Sequence, residues 1–168
     1  MNQSEKFFLR HLGQTTPFPF LIEVENARGI YIYDVHENEY MDMIAGVAVN
    51  SIGHCHPKVI AALKHQIDKY LHVMVYGEFI QSPQNELIDK LMAVLPSTLD
   101  AVYPVNSGTE ANEAAIKLVK RVTNRTEIIA FKGAYHGSTN GSLSISSNEL
   151  KKQAYRPLLP GIKFIDLN

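Results

Sequence analysis

From residue 100 onward the sequence changes rhythm, and this change restricts the fold more than any other feature. The runs DAVYPV, TEIIAFKG, SLSIS and IKFIDL read as short strands. Between the first two lies a helical pattern, with Ala111, Ala114, Ala115, Leu118, Val119 and Val122 recurring at three-and-four spacing. Strands alternating with helices predict an α/β fold with a mostly parallel sheet and flanking helices. Ligands collect beyond the carboxyl ends of the strands in such sheets. Two loops are therefore expected side by side, residues 106–109 and residues 133–139. The run IKFIDL closes the sequence, and a parallel sheet needs a crossover after a strand. The expectation is a chain that continues beyond Asn168.

The preceding residues read differently. The prolines of TTPFPF favour an extended entry segment. Residues 21–43 hold β-branched and aromatic residues punctuated by turn chemistry at 26–29 and 36–39, which predicts a small meander. GVAVNSIGHCHP reads as loop. Val59, Ile60, Leu63, Ile67, Tyr70 and Leu71 predict a helix starting near Pro57. A second helix is expected over about residues 84–95, ended by Pro96. The organisation implied is an N-terminal segment with a meander over 1–55, then the first part of a larger α/β domain over 56–168.

Composition excludes several classes. A formal charge of −1 gives no footprint for nucleic acid or for an anionic membrane surface. No apolar run approaches the ~20 residues that span a bilayer, and the N-terminus lacks the apolar core of a signal peptide. Cys55 is the only cysteine, so the chain forms no internal disulfide and no thiolate metal cluster. These features fit a reducing cytoplasm. His54, Cys55 and His56 are adjacent, without a second Cys/His cluster or a nearby carboxylate in sequence, which makes a poor metal site. His65 and His72 are expected to face solvent.

The chemistry concentrates in the two loops. NSGTEAN places glycine and hydroxyl residues at a helix N-terminus, where free N–H groups and the helix dipole favour an anion such as phosphate. The plainer reading is a capping box formed by Ser107 and Glu110, with Gly108 easing the turn. KGAYHGST adds two glycines, a flat ring in Tyr135, and His136. A phosphate cradle beside an aromatic platform suits a phosphorylated planar heterocycle. The plainer reading makes Tyr135 a core residue and His136 a loop histidine with satisfied bonds. No P-loop, dinucleotide fingerprint or G-x-S-x-G pattern occurs.

In order along the chain, GIYIYDVHENEYMDMIAGVAVNSIGHCHPKVIAALKHQ, NSGTEANEAAIKLVKR and AFKGAYHGST together resemble the class III, fold-type-I aminotransferases. That family uses pyridoxal 5'-phosphate and includes acetylornithine, ornithine and 4-aminobutyrate aminotransferases. The resemblance runs nearly end to end. It implies that Ser107, Gly108 and Thr109 hold the cofactor phosphate, that Tyr135 stacks on the pyridine ring and that His136 lies beside it. It implies transfer of an amino group from an amino-acid or ω-amino donor to a 2-oxo acid, and a homodimer with residues 47–56 and 72–84 near the interface. The Schiff-base lysine of the family falls beyond Asn168, so no catalytic residue is expected here; Lys117, Lys120, Lys132, Lys151 and Lys152 match no such motif. An aminomutase or racemase would use the same loops, and a non-catalytic binding protein could keep the fold. One position departs from the acetylornithine and ornithine pattern. Where that pattern has arginine after His-Gly, this chain has Ser138, whose hydroxyl cannot neutralise a substrate carboxylate. Ser138 is thus a candidate substrate-binding residue, and the donor stays open.

Overall fold

The computed structural model describes residues 1–168. They divide into two compact units, Met1–Phe79 and Ile80–Asn168.

The first unit begins with helix α1 (Gln3–His11), which the sequence reading did not anticipate. Its start is specified locally. The Asn2 side chain accepts from the Glu5 N–H at 2.8 Å, and the Glu5 carboxylate accepts from the Asn2 N–H at 2.9 Å. The expected meander follows as an antiparallel sheet in the order β1 (Val24–Arg28), β2 (Tyr31–Asp34), β3 (Glu39–Met41). Its register pairs Ala27 with Ile32 and Ile32 with Tyr40, and it carries an irregularity between Val24 and Asn26. Asp34 makes the turn between β2 and β3. Its carboxylate accepts from the N–H groups of His36 and Asn38, the Asn38 side-chain amide and the Tyr40 hydroxyl, all at 2.8–2.9 Å.

After the meander the chain was expected to be loop, but Ala45–Ala48 form a turn, α2, that is wound left-handed. All four residues have positive φ, from 48° at Ala45 to 63° at Val47. Left-handed backbone is unfavourable for residues with a Cβ, most of all for β-branched valine. The surrounding polar groups hold it. The Asp42 carboxylate accepts from the Ile44 and Ala45 N–H groups and from His54 Nε2, at 3.1, 2.9 and 2.8 Å. His54 Nδ1 accepts from the Asn50 amide at 2.8 Å. Both nitrogens of this ring are therefore engaged by side chains of the same loop. Helix α3 (Pro57–Ile67) starts at the predicted proline, and His65 and His72 are exposed.

The second unit opens with α4 (Ser82–Met92) and continues with α5 (Gly108–Thr123), β4 (Ile128–Phe131), α6 (Asn140–Ile145), α7 (Glu149–Lys152), a 3₁₀ turn at Gln153–Tyr155, and β5 (Ile162–Ile165). Strands β4 and β5 pair in parallel, Ile128 opposite Ile162 and Phe131 opposite Ile165. Ile116, Ala130 and Ile145 are buried between the sheet and the helices, with Ile128, Leu159, Ile162 and Phe164 packed on them.

Two expectations need correction here, and the core contact of α5 is a further finding. DAVYPV forms no strand; residues 100–105 have no ladder partner. SLSIS is helical and forms most of α6, because its first turn is capped from two sides. The Thr139 and Ser142 side chains make a capping box, and the Glu113 carboxylate accepts from the N–H groups of Gly141 and Ser142 at 2.8 and 3.1 Å. The α5 side chain that reaches the core is Ile116, whereas Leu118 and Val122 are 61% and 71% exposed. No helix is long and apolar enough to cross a membrane.

The Asp34 cluster generates a pH prediction. The Asn38 side-chain amide, the two backbone N–H groups and the Tyr40 hydroxyl hold the carboxyl at about 2, below the usual carboxylate range. With its pKa depressed by folding, Asp34 supports the hairpin fully above about pH 4, and this support is lost as pH falls through about 2. Carboxyl-carbon NMR is expected to show Asp34 titrating near pH 2, with the Asn38 amide shift moving in parallel. A midpoint near 4 would mean that the bonds are absent in solution.

Candidate functional site

The two loops singled out in the sequence meet in the second unit. Ser107, Gly108, Thr109, Asn112, Tyr135, His136, Gly137, Ser138 and Thr139 line one cleft of about 530 Å3. All six sequence candidates, including Ser138, are among them. None of the five lysines considered above lines it.

One wall is the start of α5. Ser107 is its N-cap, with extended backbone and a hydroxyl that accepts from the Glu110 N–H at 3.2 Å. The expected capping box is half formed, because the Glu110 carboxylate accepts from the Asn106 N–H, one residue earlier, at 2.7 Å. The backbone N–H groups of Ser107, Gly108 and Thr109 have no partner within the chain, as the first residues of a helix must unless something outside it binds them. They sit at the positive end of a 16-residue helix. A Cβ built on Gly108 meets nothing within 4 Å, and the residue's φ is not positive. The fold itself therefore does not require glycine at 108.

The opposite wall is the loop after β4. Tyr135 is 71% exposed, so it is not a core residue; its ring edges the cleft and its hydroxyl lies 3.3 Å from that of Ser138. The backbone of His136 is fixed from both sides. Its carbonyl accepts from the Asn112 amide at 2.7 Å, and its N–H donates to Ser146 Oγ at 2.9 Å. Gly137 has φ +128°, and a Cβ there would lie 2.3 Å from Thr109 Oγ1 and 2.7 Å from Ser142 Oγ. At this point the loop backbone presses directly on α5, which only glycine permits. The hydroxyl of Thr109 bonds those of Thr139 and Ser142. Thr109 thus offers the cleft its N–H, and its side chain serves the loop.

Sequence reasoning missed the residues that hold this arrangement together. Asn112 and Glu113 lie one turn into α5, on the side facing the loop rather than on the alanine-leucine stripe that marks the helix. Glu113 accepts from the Thr139 hydroxyl and from two α6 N–H groups. The Thr139 bond most of all, followed by the backbone bonds, keeps its carboxyl below the usual range against the opposing effect of burial. The signal available in the sequence was a pair of hydrogen-bonding residues at 112–113, where a purely structural helix has no need of them.

The geometry fits a phosphorylated planar group. Unpaired N–H donors stand at a helix N-terminus above an open glycine, an exposed aromatic ring faces them, and the space between is of ligand size. The lining itself carries no carboxylate, and the nearby Glu110 carboxylate is turned to the Asn106 N–H.

Comparison with known proteins agrees with the fold. The family model for class-III aminotransferases matches residues 13–168. An acetylornithine aminotransferase of Archaeoglobus fulgidus is 36% identical over 95% of this chain and 41% of its own length. One from Methanopyrus kandleri is 39% identical over 92% of this chain and 39% of its own. The crystal structure of adenosylmethionine-8-amino-7-oxononanoate aminotransferase from Methanocaldococcus jannaschii superposes with a TM-score of 0.88 at 28% identity, covering 96% of this chain and 39% of that one. The ornithine aminotransferase of Toxoplasma gondii superposes at 0.80, also at 28% identity, over 99% of this chain and 41% of its own. The chain spans about two fifths of the length of these relatives, and it belongs to the class-III aminotransferase family.

Proposed function

We propose that the protein containing this chain transfers an amino group from an amino-acid or ω-amino donor to a 2-oxo acid, with pyridoxal 5'-phosphate as cofactor, and that residues 80–168 supply the phosphate and ring contacts. The observation that carries this reading is the pairing of free α5 N–H groups above Gly108 with the exposed Tyr135 ring across one cleft. When bound, the cofactor supplies the electron sink that amino transfer needs.

Each residue then has a separate task. The N–H groups of Ser107, Gly108 and Thr109 bind the phosphate, and the Ser107 hydroxyl can donate as well, since its bond to Glu110 uses only a lone pair. Tyr135 covers a face of the ring and excludes water from it. His136 stands beside the ring on a backbone clamped by Asn112 and Ser146. Ser138, at the cleft edge, meets the substrate rather than the cofactor. The lysine that carries the cofactor covalently is assigned to residues outside 1–168. Inside this stretch, Lys132 is paired with Asp166 at 2.9 Å and Lys152 is buried against Glu149.

The reading also includes a homodimer in a reducing, cytoplasmic setting. Its support is the apolar surface of the two segments without regular period. Val47, Val49 and Ile52 in one, and Met74, Tyr76 and Phe79 in the other, are exposed. Large apolar side chains left exposed in such number favour burial against a partner.

Three outcomes are expected of the full-length protein. Gly108→Val leaves the melting temperature nearly unchanged, because its Cβ enters open space, yet weakens cofactor binding at least tenfold by blocking the phosphate; Gly137→Ala does the reverse damage and lowers stability by about 2 kcal/mol or more. Thermal unfolding of the cofactor-free protein, read beside cofactor titration by absorbance, separates the two effects. Normal affinity in Gly108→Val removes the phosphate from this helix end. Tyr135→Ala is expected to weaken the cofactor by about 1 kcal/mol, the scale of a lost ring contact, read in the same titration. Light scattering is expected to give at least a dimer, and an active monomer would exclude the assembly proposed here.

A further inference from the structure

Lys152 is the one buried cation of the chain, 3% exposed, and the amino-transfer reading gives it no task. Its ammonium donates to the Ser146 carbonyl at 2.9 Å, pairs with Glu149 at 3.2 Å and lies 4.4 Å from the centre of the Phe164 ring. The bond from Lys152, ahead of the one from Arg156, keeps the Glu149 carboxyl below the usual range against the opposing effect of desolvation. Taking an ammonium out of water is costly, and an apolar side chain of similar volume often serves stability as well or better. Stability alone therefore does not explain the charge. What the ammonium holds is the end of α6, and that end holds the loop after β4. Ser146 Oγ accepts from the His136 N–H at 2.9 Å, Ser147 Oγ accepts from the Gly133 N–H at 2.7 Å, and the Ser147 N–H donates to the Ala134 carbonyl at 3.2 Å. The His136 ring has no hydrogen-bond partner within the chain, so its backbone sets where it stands.

We propose that Lys152 is a positioning residue for the cleft: its ammonium fixes the Ser146 backbone, and through Ser146 and Ser147 it sets the loop that carries Tyr135 and His136 against the start of α5. The proposal rests on the amino-transfer reading above for what the loop does, and on the bonds alone for how it is held. The Asn112 amide grips the His136 carbonyl from α5, so His136 is clamped between two elements. Lys152 is the only donor to the Ser146 carbonyl. Without it that carbonyl is left unpaired in a buried place, which is unfavourable. Helix α6, at six residues, is too short to hold its own end. The N–H groups assigned to the phosphate belong to α5 and lie outside this route. Loss of the ammonium is therefore expected to displace the ring-facing loop and to leave phosphate binding in place.

The test uses the full-length protein with pyridoxal 5'-phosphate, its histidines labelled for NMR. Lys152→Met keeps an unbranched stem beside Phe164 and removes the charge. It is expected to shift the His136 signals and to lower kcat with the wild type's fastest amino donor roughly tenfold, with cofactor affinity within about threefold of wild type. Glu149 is 59% exposed, and Glu149→Gln removes the ion pair while leaving the bond to Ser146. It is expected to keep the His136 signals and to hold kcat within about twofold of wild type. Ser146→Ala takes away the hydroxyl that grips His136 and is expected to reproduce the shift, and adding Lys152→Met to it changes His136 little further. Unchanged His136 signals and kcat in Lys152→Met, with only the melting temperature lowered, overturn the proposal. So do equal losses in Glu149→Gln and Lys152→Met, because the ion pair is then what matters. A Lys152→Met chain that does not fold overturns it as well, since the fold itself then requires the lysine. Unmoved His136 signals in Ser146→Ala break the route whatever Lys152→Met does. Wild-type protein that transfers no amino group from any donor, with His136 displaced in Lys152→Met as expected, overturns the amino-transfer reading and supports the positioning role.

Discussion

The carboxylate of Glu113 is the contact on which the arrangement of the second unit turns. A single oxygen, Oε1, accepts the Thr139 hydroxyl and the N–H groups of Gly141 and Ser142. Two of these are first-turn donors of α6, a helix of six residues, far too short to persist without outside help. Glu113 thus caps one helix from the side of another. The neighbouring Asn112 takes the His136 carbonyl. Two successive residues of α5 therefore fix two points of the loop that carries Tyr135, and they fix them relative to the helix whose N-terminus forms the opposite wall. The relation between the two walls follows from this geometry rather than from apolar packing, since only Ile116 of α5 reaches the core.

A ladder of hydroxyls completes the frame. Ser142, Ser144 and Ser146 are all buried, and each is bonded to backbone. Ser144 accepts from the Leu159 N–H at 2.9 Å, Ser146 from the His136 N–H, and the adjacent Ser147 from the Gly133 N–H at 2.7 Å. Buried hydroxyls cost several times more unsatisfied than a bonded one contributes, so such a network specifies one arrangement and penalises others. It also explains why SLSIS misleads. Alternating serine with leucine and isoleucine imitates the period of a half-buried strand, yet here the serines are buried along with Ile145, and Ser144 and Ser146 also take N–H groups distant in sequence.

The fold and the site differ in how legible they were for related reasons. The meander, the proline-started helix α3, β4, β5 and the capped start of α5 carry their signals in local chemistry, in residues near each other in sequence. DAVYPV has the composition of a strand, but a strand exists by pairing, and nothing among residues 1–168 pairs with it. The apolar stripe of α5 was read correctly as a pattern; periodicity reports which face is apolar and says nothing of what covers it. The left-handed turn at Ala45–Ala48 was invisible because His54 stabilises it through Asp42 from twelve residues away. At the site, the residues that present atoms to the cleft were legible from glycine and aromatic signals, whereas Asn112, Glu113 and the serines act through contacts that only the folded chain reveals.

Three glycines around the cleft separate what the fold demands from what it leaves free. Gly137 is required by its backbone angle and by contact with Thr109 and Ser142. Gly141 is required because a Cβ would lie 2.2 Å from the Glu113 carboxylate that caps α6. Gly108 meets neither condition: its backbone is helical and the space above it is empty. Glycine in the first turn of a helix is worse than alanine for the helix itself, by up to about 1 kcal/mol in an interior position. Gly108 is therefore a residue that the fold would rather replace, placed where three N–H groups lack partners and across the cleft from an exposed tyrosine. The amino-transfer reading proposed above gives it a reason, the close approach of the cofactor phosphate to the helix N-terminus.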